Sequence, residues 1–144
     1  MAGDTNSKER CKVKVLLVDG SVAIQQSFSA LLLLTLPGVA ITGYAEDVAS
    51  ALASIASNRP DLIVLDARLR GNDRGIDVLH HVRQHHPDIK VVVLSHFSWA
   101  SMRKSHIDAG ALAYFDKGIE FQQARDFIAD LASARSAGAP GLES

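Results

Sequence analysis

Short apolar runs alternate along this chain with longer stretches in which apolar residues return every three or four positions. The runs within VKVLLVDG, DLIVLD and IKVVVLS are rich in β-branched residues, the pattern of parallel strands buried on both faces, and ALAYFDK adds a further short apolar run. A weaker run, VAITGYA, fits a second strand in chain order. Between the runs the spacing predicts helices over Ser21–Leu36, Asp47–Ser57, Ile76–His86, Trp99–Ala109 and Phe121–Arg135. Ser21 is suited to capping the first, and Pro37-Gly38 stops it. Val48, Leu52 and Ile55 mark the buried side of the second. Helices of this length are the crossovers that parallel strands require. The pattern therefore predicts an α/β domain of five β-α units.

Four of the runs end in a group that can do chemistry: Asp19, Asp66, Ser95 and Lys117. In an open parallel sheet the carboxyl ends of the strands form one edge, and ligands bind there. Two carboxylates, a hydroxyl and an ammonium are thus expected to converge. Singly, Asp19 reads equally as an acid at a helix N-terminus and Ser95 as an ordinary strand-end hydroxyl; it is the convergence that favours a site.

Composition narrows the function classes. The 144 residues, 47% hydrophobic and 22% charged, suit one globular domain with a proper core. A net charge of -1 leaves no electrostatic footprint for nucleic acid, so no direct nucleic-acid contact is expected. Cys11 is the single cysteine, which excludes an intrachain disulfide and fits a cytoplasmic protein. No apolar run is long enough to span a membrane, and the polar first residues do not form a signal peptide. Residues 1–11 read as a flexible arm, 12–135 as the domain, and 136–144, Pro/Gly-rich, as a flexible tail or the start of a linker.

VLLVDG, DLIVLD, VVVLS and AYFDK, in this order and at these intervals, resemble the receiver domain of two-component response regulators, stand-alone and of the NarL/FixJ type, over roughly Lys12 to Leu131. The resemblance implies a flavodoxin-like (βα)5 fold with strand order 2-1-3-4-5. It implies that Asp66 accepts a phosphoryl group from a histidine kinase or histidine phosphotransfer protein, with Lys117 and Ser95 stabilising the phosphoryl oxygens. Mg²⁺ would be held by Asp19, Asp66 and the backbone carbonyl of Arg68. Ser95 and Tyr114 would form the switch. The output would be a change in the face built by the fourth helix, fifth strand and fifth helix, read by a downstream protein or a second copy of the chain. Such a domain is a phosphoacceptor, not an enzyme, beyond self-catalysed phosphotransfer and dephosphorylation.

The chain departs from the family pattern near the site. Gly20 stands where a second acid is usual, which should weaken Mg²⁺ binding; Asp19 or Glu46 would have to compensate. Arg70 replaces a proline, and the glycine of the following loop arrives one position late, at Gly75. His96 follows the switch hydroxyl where a small residue is usual and is expected to gate the site. Gly118 replaces the proline that normally forms a cis bond after the lysine. These changes keep open a pseudo-receiver that binds partners without regulated phosphorylation.

Other classes fit less well. An aspartyl-phosphate phosphatase needs a second acid two residues after the first, whereas Ser21 and Val22 follow Asp19-Gly20. A flavin-mononucleotide binder wants a hydroxyl-rich phosphate loop, and DGSVAIQ has one serine. His80, His81, His85 and His86 read as a solvated helix face, because zinc would need a further convergent ligand. The run Leu31–Leu34 reads as core with an exposed remainder, or as a docking surface; Phe121, Phe127, Ile128 and Leu131 read as core first and dimer face second.

Overall fold

The computed structural model describes residues 12–138. β1 (Val13–Val18), β2 (Val39–Ala45), β3 (Leu62–Leu65), β4 (Lys90–Ser95) and β5 (Ala113–Asp116) form one parallel sheet. Its order is β2-β1-β3-β4-β5, as expected. α1 (Val22–Thr35), α2 (Val48–Asn58), α3 (Gly75–His85) and α4 (Ala100–Asp108) make the crossovers, and α5 (Phe121–Gly138) follows β5. The sequence reading places these elements to within one residue, except at the last helix. That helix continues to Gly138, past the expected domain end at Arg135. The expected arm at 1–11 and residues 139–144 of the expected tail lie outside the described residues.

Local signals explain the helix starts. Ser21 Oγ accepts from Ile24 N at the first turn of α1. Asp47 and Ser50 form a reciprocal capping box at α2, each side chain taking a backbone N–H of the other. Both devices satisfy donors that a helix N-terminus otherwise leaves bare.

Because side chains alternate across a strand, the sheet feeds two cores. Leu16, Val18, Ile63, Leu65, Val91 and Val93 meet Ile55 of α2 and Leu79 and Val82 of α3 on one face. Val15, Leu17, Leu62, Val64, Val92 and Leu94 meet Phe28 and Leu32 of α1 and Ile128 of α5 on the other. A fully buried leucine or isoleucine contributes about 1.5–3 kcal/mol. Burial on both faces therefore fixes the height of each strand, and with it the position of the residue at its end.

The run Leu31–Leu34 resolves into one core residue, Leu32, while Leu33 and Leu34 are exposed. They sit at the end of α1 opposite Ser21, about 19 Å along the helix from the sheet's carboxyl edge. That distance separates them from the converging polar groups.

Candidate functional site

The strand order reverses at β1 and β3, so the crevice at their carboxyl ends receives Asp19 and Asp66 side by side. Asp66 N donates to Val18 O at 2.9 Å, which fixes the two chains against each other at this point. Lys117 arrives from the end of β5 and places Nζ 2.6 Å from Asp19 Oδ2 and 2.6 Å from Asp66 Oδ2. All three residues are buried, as is Ser95 at the end of β4. Three of the four expected groups meet directly, and Ser95 stands at the end of β4, the strand next to β3.

Each is held by neighbours. Asp19 Oδ1 accepts from Ser21 N at 2.8 Å, tying the carboxylate to the start of α1. Burial raises the Asp19 pKa above the ordinary carboxylate value, against the opposing pull of Lys117 and Ser21, with Asp66 adding repulsion. Gln25, which the sequence reading did not single out, donates from Nε2 to Asp19 O and Ala45 O and so ties β1 to β2 just behind the acid. Ser95 Oγ accepts from Phe97 N at 3.1 Å, and its hydroxyl is bonded to Tyr114.

Lys117 is aimed without a proline. No peptide bond among the described residues is cis. Instead the Asp116 carboxylate accepts from Gly118 N at 2.7 Å and Ile119 N at 3.3 Å, building the turn that follows the lysine. Ser98 Oγ also donates to Asp116, and these bonds hold its pKa below the usual carboxylate range, the Ser98 hydroxyl foremost. Lys117 N donates to Ser95 O at 2.9 Å, which sets the height of the lysine against β4.

Tyr114 is buried, and its hydroxyl donates to Phe97 O. Ser95 and Tyr114 therefore grip the two ends of one residue, Phe97. Burial, first of all, raises the Tyr114 pKa. Arg103 of α4 braces this arrangement, donating to Tyr114 O (2.7 Å), Ser98 O (3.1 Å) and Glu120 Oε1 (2.8 Å). The sequence reading missed Arg103, Asp116 and Phe97, whose roles are contacts between distant parts of the chain.

The loop after Asp66 packs against Gly20. A Cβ at position 20 would lie 3.1 Å from Arg70 N and 3.4 Å from the Leu69 carbonyl carbon. A second acid fits here once the Leu69–Arg70 backbone gives by a few tenths of an ångström. Arg70 N donates to Glu46 O, and its guanidinium pairs with the Glu46 carboxylate. Glu46 is engaged away from Asp19 and Asp66. His96 is exposed at the rim of the site. Among the described residues no group of three or more His, Cys, Asp or Glu could hold a metal, the helix-face histidines included. His81 sits against His85 and His86; burial first, then those two neighbours, lower its pKa.

Since burial penalises ionised Asp19 even beside Lys117, Asp19→Asn is expected to raise the melting temperature at pH 7. The sign follows from linkage: a carboxylate with a raised folded pKa favours the folded state at low pH and loses that contribution as pH rises through the folded value. The gain should shrink as pH is lowered toward 4, read by thermal melts at several pH values.

The family model for the response regulator receiver domain matches residues 15–129. The DNA-binding transcriptional activator DevR/DosR of Mycobacterium tuberculosis is 31% identical over 124 residues, covering 86% of this chain and 56% of that protein. The transcriptional regulatory protein LiaR of Bacillus subtilis is 30% identical, with 92% and 60% covered. The chain spans about half the length of the curated relatives it matches. Among solved structures, the signal receiver domain of the putative response regulator NarL from M. tuberculosis aligns with a TM-score of 0.76 at 25% identity, covering 85% of this chain and 97% of that one. No helix among the described residues is long and apolar enough to cross a membrane. With its five-stranded parallel sheet, its two strand-end carboxylates on one lysine and this match over most of its length, the chain belongs to the response regulator receiver domain family.

Proposed function

We propose that the chain acts in two-component signal transduction as a phosphoacceptor, taking a phosphoryl group on Asp66 from the phosphohistidine of a histidine kinase or phosphotransfer protein. The observation that carries this reading is the lysine shared by Asp19 and Asp66 at equal distance in a buried crevice. An Asp66 carboxylate oxygen attacks phosphorus, an O–P bond forms, and the P–N bond to the donor imidazole breaks, its electron pair returning to nitrogen. Phosphoryl transfer asks the protein mainly for position and positive charge. Lys117 moves from the carboxylate to a phosphoryl oxygen, and the Ser95 hydroxyl donates to another.

The donor set suits Mg²⁺ with few protein ligands, since that ion keeps waters and needs only one or two carboxylates besides phosphoryl oxygens. Asp19, Asp66 and the carbonyl of Arg68 would hold it, and it would neutralise charge building on the transferred group. Gly20 makes that hold weak. Gly20→Asp alone is expected to improve Mg²⁺ affinity by no more than about tenfold, because the new side chain must first displace the Leu69–Arg70 backbone. Calorimetric titration decides this, and a much larger gain would show that the loop yields freely.

The Ser95 and Tyr114 grip on Phe97 supports these two residues as the switch, with the α4-β5-α5 face as its output toward a protein target or a second copy. Exposed His96 would gate entry to Asp66. No catalysis beyond phosphotransfer and dephosphorylation at Asp66 is assigned to this chain. A cytoplasmic location and the absence of direct nucleic-acid contact belong to the same proposal and concern this stretch of sequence.

The test is intact mass during incubation with Mg²⁺ and acetyl phosphate. One phosphoryl gain, absent from Asp66→Asn, is the expected result. No gain in the parent chain would leave the pseudo-receiver, with its function in its binding surfaces.

A further inference from the structure

Beside the phosphoacceptor crevice lies a cavity of about 550 Å³, walled by the loop after β3 and by the β4-α4 loop and α4. Its volume falls in the range of small-molecule sites. Arg68 and Phe97, which line it, have roles above through their backbone atoms, but the hollow their side chains border has none. Its walls are unusual for a loop-bounded hollow: Phe97 and Trp99 meet edge to face with centroids 5.5 Å apart, and the Arg68 guanidinium lies 4.7 Å from the Phe97 ring centre. Trp99 is 57% exposed, a large apolar surface left in water at the mouth.

The polar groups favour one sign of charge. Arg68 and Arg74 stand on one side, and Arg74 has only an exposed pairing with Asp77, which binds weakly. Asp73 lines the cavity too, with Oδ2 accepting from Val48 N at 3.0 Å, so two cations stand against one anion and a net positive charge remains. On the α4 side His106 is 3% exposed; its Nδ1 bonds Met102 O at 2.8 Å while Nε2 is buried without a partner. With its Nδ1–H given to Met102 O, neutral His106 keeps Nε2 as an acceptor, so it would be met by an N–H or O–H on the ring system of an occupant and not by the anionic group.

We propose that this cavity binds a flat aromatic anion of small-molecule size, an aryl carboxylate or sulfonate, stacked on the Phe97–Trp99 pair with its charge toward Arg68 and Arg74. The site goes beyond phosphoryl acceptance, yet it touches the same machinery. Phe97 is the residue gripped by Ser95 and Tyr114, and the His106 ring lies 5.3 Å from that of Tyr114. An occupant thus bears on the segment through which Asp66 is read, giving the domain an input besides phosphorylation.

The test uses anilinonaphthalene sulfonate as probe on the full chain, with neither phosphodonor nor divalent ion present, so its result is independent of whether Asp66 accepts a phosphoryl group. Trp99 is the single tryptophan and lines the cavity, so its emission reports occupancy directly. Saturable binding of one probe per chain with loss of Trp99 emission is expected. Ser105→Phe, which fills the cavity from α4, should abolish it, and Arg74→Gln, at the exposed rim, should weaken it at least about fivefold. Non-saturating probe fluorescence, Trp99 emission that does not change, or parental affinity in either variant overturns the proposal.

Discussion

Lys117→Met is expected to lower stability by about 3–5 kcal/mol at pH 7.5, the range seen when one partner of a buried ion pair is removed. It should also reduce phosphoryl uptake at Asp66 by at least about a hundredfold. The lysine is the shared counter-charge of two buried carboxylates, each 2.6 Å from Nζ. Methionine fills the space but leaves Asp19 and Asp66 facing each other in a site that already raises the Asp19 pKa by burial. The deficit should therefore depend on pH. With the lysine gone the folded pKa of Asp19 rises further above its unfolded value, so protonation favours the folded state and the loss should shrink as pH falls toward 4. Adding Asp19→Asn to the methionine variant should recover much of the stability while uptake stays low, because these neighbouring changes are not additive. Urea unfolding at pH 7.5 and pH 5, alongside intact mass with acetyl phosphate, separates the two effects. A Lys117→Met protein as stable as its parent would show that the carboxylates do not need this charge.

How the lysine reaches its place shows what the sequence could and could not disclose. That VKVLLV, LIVL and KVVVLS are central strands is legible because burial on both faces demands continuous apolar runs, and a strand's end is a fixed point once its core is fixed. The strand ends alone therefore assign Asp19, Asp66, Ser95 and Lys117 to one edge of the sheet. The means of holding them was not legible. Asp116 takes over from the missing proline through bonds to Gly118 and Ile119, and an aspartate two residues before a glycine occurs in too many turns to announce that role. Arg103 reaches Tyr114, Ser98 and Glu120 through contacts no local pattern encodes. The substitutions at positions 20 and 70 looked like independent losses in sequence. In three dimensions they form one change, the Leu69–Arg70 backbone lying over Gly20 where a longer side chain would start.

The same loop makes Gly75 the most constrained glycine near the site, and Gly75→Ala is expected to cost about 3 kcal/mol, at the upper end of ordinary overpacking. Alanine is the better helix former by about 1 kcal/mol, so helix propensity at the first residue of α3 argues for stabilisation. Contact decides otherwise. A Cβ on residue 75 would fall 2.0 Å from Asp66 O, 3.0 Å from Asp66 C and 3.2 Å from Ala67 Cα, all of them backbone. No side chain can swing aside to make room, and Gly75 N is itself bonded to Ala67 O at 2.9 Å. The glycine arrives one position late in sequence yet packs directly on the backbone of Asp66, so the extra loop residue is absorbed before it. Relief of the clash must move either α3 or the peptide that carries Asp66. A displacement of about 1 Å there is enough to reduce phosphoryl uptake by about a hundredfold. Gly71→Ala is the control: Gly71 has a φ of 68° with nothing within 4 Å of its Cβ position, so alanine there should cost about 1–2 kcal/mol of backbone strain and leave uptake near parental. Urea midpoints and phosphoryl mass gain for the two variants read both expectations. Equal behaviour at positions 71 and 75 would mean that the contact with Asp66 does not constrain the site.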